Sequence, residues 1–542
     1  MRNITRRDVL IGGAAAAATA AVLSTEGCHG AGVNGGPGIP AILDSYTLTT
    51  EYSDHTFNGT TMHLRTYNGQ IPGPTLYAAP GQPFNVTVVN NFPPDPPATP
   101  GAGVDPMNNP HKFNTTNLHV HGVQVVPHIF EPVGTTDPAA MMVAIAPGTS
   151  KTYNFTLPAD HPPGLYWYHP HHHGSTDVEV SGGMAGLIIV GGNIDQVPEI
   201  AAARDIPIAI QSISVNADAT NPAIQDLEYL AYQLPTAGGY KPRSKYEYFL
   251  VNGQLVNLIN FIGGQGTPTF TSTPFAPQSI SMQPGEVVRL RILNGTTENN
   301  MPLVLPGFEV YLIGRDGVNF PVPLLLDQSN PANNFFLTNA GRFELLVRAP
   351  AAAGTYTLSG LAVNDPGVHA WPQFDLVKFV VSGAARTMNI PTTLPTPSRE
   401  YPLIANGEIV GPRSVVFNAA ASTSILPGTA MLVNGVSYDE TTVPAQYNNM
   451  QTGTAEEWTI SNLMPEGHPF HLHTNSFEVI SSSVGGVTTT YNPIQIADTV
   501  WIPGNGTVVV RVRYKTWKGK DVFHCHKLTH EDQGMMANTM LT

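Results

Sequence analysis

Charge is scarce in this 542-residue chain, where Asp, Glu, Lys and Arg make up only 12% of the positions, about half the usual share. Acids lead within that small number, 39 against 25 basic residues, for a formal net charge of −14. So acidic a balance argues against the basic patches that nucleic acid or an anionic membrane surface selects. Cysteine is nearly absent as well. Cys28 and Cys525 are the two present; they cannot build a disulfide framework, and Cys28 falls in a stretch that reads as a leader, which leaves one thiol in the folded body. Beyond that leader no apolar run reaches the roughly 20 residues that a spanning helix needs. Turn formers, by contrast, abound: 52 Gly and 49 Pro in a chain that is 42% hydrophobic. Such a mixture disfavours helical bundles, coiled coils and disorder. The length suits about three domains, each able to bury its own core.

The N-terminus reads MRNITRRDVL and continues in small apolar residues to Leu23, too short for a membrane span. Its Thr5 to Leu10 stretch resembles a twin-arginine export signal, so the expected location is periplasmic or secreted, reached by a chain already folded.

Three segments share one pattern, a Gly feeding an apolar run that closes on an Asn nine positions later: Gly81 to Asn90, Gly285 to Asn294 and Gly453 to Asn462. Each reads as a turn followed by a β-strand. The pairs Asn252-Gly253 and Asn434-Gly435, flanked by apolar residues, are hairpin signals in the second and third units. Many short strands repeated at so long a period predict three β-sandwich or barrel units. Composition places an export signal and N-terminal arm at 1–40 and units at 41–195, 196–388 and 389–542, with links at Gly191–Arg204 and Asn389–Pro402 and a Pro-rich insertion from Pro93 to Pro110.

Twelve of the 19 histidines fall in four short clusters: HVHG (His119, His121), WYHPHHHG (His169, His171, His172, His173), HPFHLH (His468, His471, His473) and HCHKLTH (His524, His526, His530). Two clusters lie in the first unit and two in the third. The middle unit holds only His369 and reads Leu358-Ser359-Gly360 where its sisters carry HPH or HCH, so it is expected to be a metal-free spacer. In a strand, residues two apart share a face at about 6.6 Å, so an HxH pair can send its two imidazoles to different metals. Cys525 projects from the face opposite His524 and His526 and so binds a different metal from theirs. With His468, His530 and Met535 it makes two imidazoles, a thiolate and a thioether, the donor set of a blue-copper electron-transfer centre. Zinc fits this set less well.

HVHG, WYHPH, HPFHLH and HCHKLTHEDQGM together resemble the four copper signatures of three-domain multicopper oxidases, the laccase-like group, over about residues 41–542. The resemblance implies three cupredoxin-like Greek-key domains in an all-β fold, and four copper ions. By it, His468, Cys525 and His530 hold the type 1 copper with Met535 axial, and His119 and His471 hold type 2. His121, His169, His171, His473, His524 and His526 hold the type 3 pair. It further implies one-electron oxidation of small-molecule donors, delivered at an exposed edge of His530, coupled to four-electron reduction of O₂ to water. Asp137 and Glu531 look like the family's proton-relay carboxylates. Between Pro350 and Glu400 the only methionine is Met388, which favours phenols or aromatic amines over cuprous ion as donors. The alternatives are a cuprous-ion oxidase and a non-enzymatic periplasmic copper-binding protein. His172 and His173 are expected to be structural, and the seven isolated histidines to be ordinary surface or core residues.

Overall fold

The structure, a computed structural model, describes residues 42–95, 105, 107–215, 246–261, 270–330, 335–365, 369–422, 424 and 429–542. The expected leader, with Cys28, lies outside them, as does part of the Pro-rich insertion. The described strands fall into three sets. Those from Ser45 to Val190 make two four-stranded sheets. Those from Arg204 to Val381 make an eight-stranded and a five-stranded sheet with a two-stranded ribbon, and those from Ile409 to Leu541 a six-stranded and a four-stranded sheet. Helix is limited, among the described residues, to short segments such as Thr176–Ser181, Pro198–Ala202 and Leu528–Asp532.

The Gly-to-Asn repeat is one local design used three times. Gly81, Gly285 and Gly453 have φ of 74°, 74° and 85°, a left-handed conformation that glycine adopts without a Cβ penalty. They open the strands Pro83–Asn90, Val287–Asn294 and Ala455–Asn462, each of which pairs in parallel with the first strand of its set. Asn90, Asn294 and Asn462 end them, and each Oδ1 accepts the N–H two residues on, from Phe92, Thr296 and Met464. Their amide nitrogens donate to carbonyls of neighbouring loops, Asn462 to Glu466 O at 2.6 Å. A buried Asn is tolerable because every polar atom is used in this way. Asn252-Gly253 and Asn434-Gly435 carry positive φ at both positions, the backbone of a type I′ hairpin turn.

Each set encloses its own core, around Phe84 and Tyr153 in the first, Phe249 and Leu345 in the second, and Trp458 and Phe523 in the third. Burying such a side chain contributes about 1.5–3 kcal/mol. The sets also meet directly. Leu165, Trp167 and Ile189 of the first pack on Ala209, Leu293 and Ala340 of the second. Ile129, Phe130 and Met142 of the first pack on Tyr438, Val522 and Met536 of the third. Asp532 locks this second contact by accepting the N–H groups of Gly174 (2.7 Å) and Asp177 (2.9 Å).

Candidate metal centre

At the meeting of the first and third sets, two strand pairs carry the histidine clusters. His119–His121 runs antiparallel to Gly164–His169 and puts His119 opposite His169. His468–Leu472 runs antiparallel to Gly519–Cys525 and puts His471 opposite His524. Alternation along each strand sends the rings of a pair across the interface. The ring of His119 stacks on His473 at 4.0 Å, and that of His121 on His471 at 3.8 Å.

Four groups of three donors result, each with its ligand atoms within 4.8 Å of one another: His119, His121 and His471; His121, His169 and His526; His171, His473 and His524; and His468, Cys525 and His530. All are buried. Burial, helped by repulsion among neighbouring imidazoles, pushes His119, His121, His468, His471, His473 and His526 well below the ordinary histidine range. It lowers His169 to about 3 and His171 to about 4. These rings are therefore neutral at pH 7 and offer lone pairs, the form that binds metal.

Copper tests well against the orphaned atoms. Both ring nitrogens of His119 and of His526, and Nε2 of His471, are buried with no hydrogen-bond partner; each costs about 1–3 kcal/mol if it stays unmet. In the third group Nε2 of His524 lies 3.1 Å from Nε2 of His171 and 3.2 Å from Nε2 of His473. Outward, Nδ1 of His473 donates to Asp521 Oδ1 at 3.1 Å, and Nδ1 of His524 faces Glu531 Oε2 at 2.9 Å. Protons held on the outer nitrogens leave the inner lone pairs aimed at one another. A cation between them removes that repulsion, with Asp521 fixing the tautomer of His473 and the Cys525 carbonyl, 3.0 Å from Nδ1, that of His524.

The fourth group joins two imidazoles and a thiol. Nδ1 of His468 lies 3.3 Å from Cys525 Sγ and 3.3 Å from Nδ1 of His530. Met535 is fully buried in the same core, its N–H donating to His530 O and its carbonyl accepting from Cys525 N–H. Burial pushes the Cys525 thiol far up, so a thiolate there requires a bound cation. His530 keeps 6% of its side chain exposed while His468 keeps none. The edge expected to meet donors is thus a sliver, with Glu466 Oε1 3.8 Å from Nε2 of His530.

The two carboxylates expected to relay protons are placed differently. Asp137 is exposed on a surface turn, where its Oδ1 accepts the Ala139 N–H at 2.9 Å. Pro138 follows it and the chain turns back, so the carboxylate serves its own turn. Asp498, from the third set, is the carboxylate beside the first histidine pair. Its Oδ1 lies 3.1 Å from Nε2 of His121 and 3.7 Å from Nδ1 of His471. Burial, opposed by Arg342, raises it to about 6. Glu531 does lie in the cluster, fully buried between His524 and His171; burial would raise it, yet those imidazoles hold it down at about 2.

Sequence reading missed Asp498, Asp521 and Glu466. The last two stand within three residues of a histidine pair, whereas nothing in the sequence marks Asp498. His128 is a core residue with a task, since its Nε2 accepts the Val120 N–H between His119 and His121 and its ring stacks on His119. His172 and His173 join no metal group, His172 facing Ser175 and His173 facing Asn108.

Family models described as multicopper oxidase match residues 103–193, 239–367 and 412–541, together about two thirds of the chain. The chain is 23% identical to laccase-2 of Botryotinia fuckeliana, across 91% of this chain and 81% of that one. The solved multicopper oxidase of Campylobacter jejuni, described as a metallo-oxidase, superposes with a TM-score of 0.66 at 22% identity, covering 92% of this chain and 91% of that one. A laccase-like multicopper oxidase from Ochrobactrum sp. gives 0.65 at 22% identity, covering 92% and 97%. That shared frame makes the three strand sets cupredoxin-like units. With a family match in each of them, this protein belongs to the three-domain multicopper oxidases, copper-dependent oxidoreductases that use O₂.

Proposed function

We propose that the chain couples one-electron oxidation of phenolic or aromatic amine donors to reduction of O₂ to two waters, using four coppers. His468, Cys525 and His530, with Met535, would hold the type 1 ion. His119 and His471 would hold type 2. His121, His169 and His526 would hold one ion of the type 3 pair, and His171, His473 and His524 the other. The observation that carries the reading is the convergence of ten buried imidazoles and one buried thiol into four donor groups. Copper at these positions would supply one-electron transfer at Cys525 and multi-electron reduction of O₂ at the histidine cluster.

The chain's own residues supply the rest. Cys525 is bonded in sequence to His524 and His526, so a few covalent bonds join the two regions. Glu531, between His524 and His171, is the buried carboxylate placed to pass protons to the cluster. Units 41–195 and 389–542 would share the cluster, with 196–388 bracing them.

Donor class is read at His530. Met388, the one methionine of its stretch, packs in the middle unit, where its Sδ accepts the Val287 N–H, so it offers no thioether to a metal-ion donor. Beside the Glu466 loop stands an aromatic shelf, Trp501 with Phe336 at 6.0 Å, suited to a flat donor. The twin-arginine-like run supports export.

The test is oxygen uptake by the copper-loaded protein given a methoxyphenol or cuprous ion in parallel. Faster uptake with the phenol is expected; faster uptake with cuprous ion would replace this reading by a metal-ion oxidase. Cys525→Ser should lose the blue colour while cluster copper stays bound, and retained colour would refute the type 1 assignment.

A further inference from the structure

The middle unit contributes no histidine to the four donor groups, yet one of its side chains ends beside them. Arg342 opens the strand Arg342–Arg348 and is fully buried. Its Nη1 and Nη2 donate to Oδ1 (2.8 Å) and Oδ2 (2.5 Å) of Asp498, while Nε donates to Leu165 O at 3.3 Å and Nη1 also to Ala340 O at 3.2 Å. Asp316, also of the middle unit, accepts the Arg342 N–H on Oδ1 at 2.8 Å. On Oδ2 it accepts the N–H groups of Asp498 (3.3 Å) and Thr499 (3.4 Å). One guanidinium thus joins all three units.

Behind this knot stand the histidines. Asp498 Oδ1 lies 3.1 Å from His121 Nε2, and Asp498 O accepts from Nδ1 of His471 at 2.8 Å. Gly122 makes the room. It has φ of 80°, and a Cβ there would collide with Arg342 Nη2 and Asp498 Oδ2. The glycine that closes HVHG is therefore where the ion pair packs against the metal-bearing strand.

We propose that Arg342, with Asp316, is a positioning residue of the copper cluster. By fixing Asp498 it sets two rings of the cluster, His121 from the first unit, assigned to the type 3 pair, and His471 from the third, assigned to type 2 copper. The middle unit gives no ligand to the four donor groups, but it governs whether that copper is held. This inference rests on the copper reading above. A lysine keeps the charge and loses the planar fork that grips both carboxylate oxygens, so Arg342→Lys separates positioning from charge.

The experiment compares the full-length copper-loaded parent with Arg342→Lys and Arg342→Gln, measuring copper per chain by elemental analysis and the type 2 signal by electron paramagnetic resonance, with the type 1 signal as internal reference. The parent is expected to hold four coppers. Both variants are expected to keep the type 1 signal and to lose most of the type 2 signal, with copper falling to about three per chain. An Arg342→Lys protein with four coppers and an unaltered type 2 spectrum would overturn the proposal. Joint loss of type 1 and type 2 copper in Arg342→Lys would overturn it too, since Arg342 would then be a general structural pin. A parent without a type 2 signal would remove the copper reading, and this inference with it.

Discussion

Glu531 Oε2 stands 2.9 Å from Nδ1 of His524, and both side chains are fully buried. The contact sets an ionised carboxylate against the cluster, while the Cys525 carbonyl at 3.0 Å from Nδ1 orients the imidazole. Glu531→Gln keeps the shape and removes the proton-carrying group. Turnover should fall by roughly 10²-fold or more, the scale of a general acid or base, while the blue type 1 colour is unchanged. Steady-state oxygen uptake and the visible spectrum check this; full turnover would remove Glu531 from the proton path.

Asp137 makes the opposite case. Its exposure and its local bond to Ala139 predict that Asp137→Ala leaves turnover within about twofold of the parent. A large loss of oxygen uptake in this variant would restore it to the relay.

Glu466 Oε1 lies 3.9 Å from Nε2 of His468 and 3.8 Å from Nε2 of His530, and its Oε2 pairs with Lys527 Nζ at 3.1 Å. A negative and a positive charge thus flank the type 1 group at near-zero exposure. Glu466→Gln should raise the type 1 reduction potential, and Lys527→Met should lower it. The expected size is on the order of 1 kcal/mol each, roughly 40 mV for a one-electron couple. Spectroelectrochemical titration of the blue band measures both shifts, and equal shifts of one sign would contradict the electrostatic account.

Away from the metal groups, burial raises Glu478 from the usual 4.5 to about 7. Its Oε1 accepts the Ile404 N–H at 2.6 Å, and its Oε2 has no partner. The folded chain therefore keeps a proton that the unfolded chain releases above about pH 4.5. That contribution favours folding at low pH and is lost as pH rises through 7. Glu478→Gln should unfold at a temperature at least about 1 °C above the parent at pH 8 and match it at pH 4. Calorimetry of the copper-loaded proteins decides; a variant less stable than the parent at pH 8 would show the charge to be favourable.

What was legible in the sequence was local. The glycine at positive φ and the asparagine that closes each strand recur because each unit needs the same turn and the same loop anchor, and both leave a linear trace. The HxH pairs were legible for the same reason, since strand alternation fixes where two neighbouring rings point. Carboxylates that orient those rings come from elsewhere in the fold. Asp498 is 377 residues from His121, and no spacing rule reaches that far. Asp137 drew attention because it follows HVHG in the chain, but the turn at Pro138 carries it to the surface. A middle unit with no paired histidines read as a spacer, and only tertiary structure reveals that its Arg342 grips Asp498.

The most direct test of the account is the stoichiometry of oxygen consumption by the copper-loaded protein, with peroxide assayed in the same vessel. Four groups acting together predict one O₂ consumed for every four one-electron donors oxidised, with no accumulating peroxide. Peroxide appearing with one O₂ per two donors, or no uptake at all from the fully loaded protein, would contradict it.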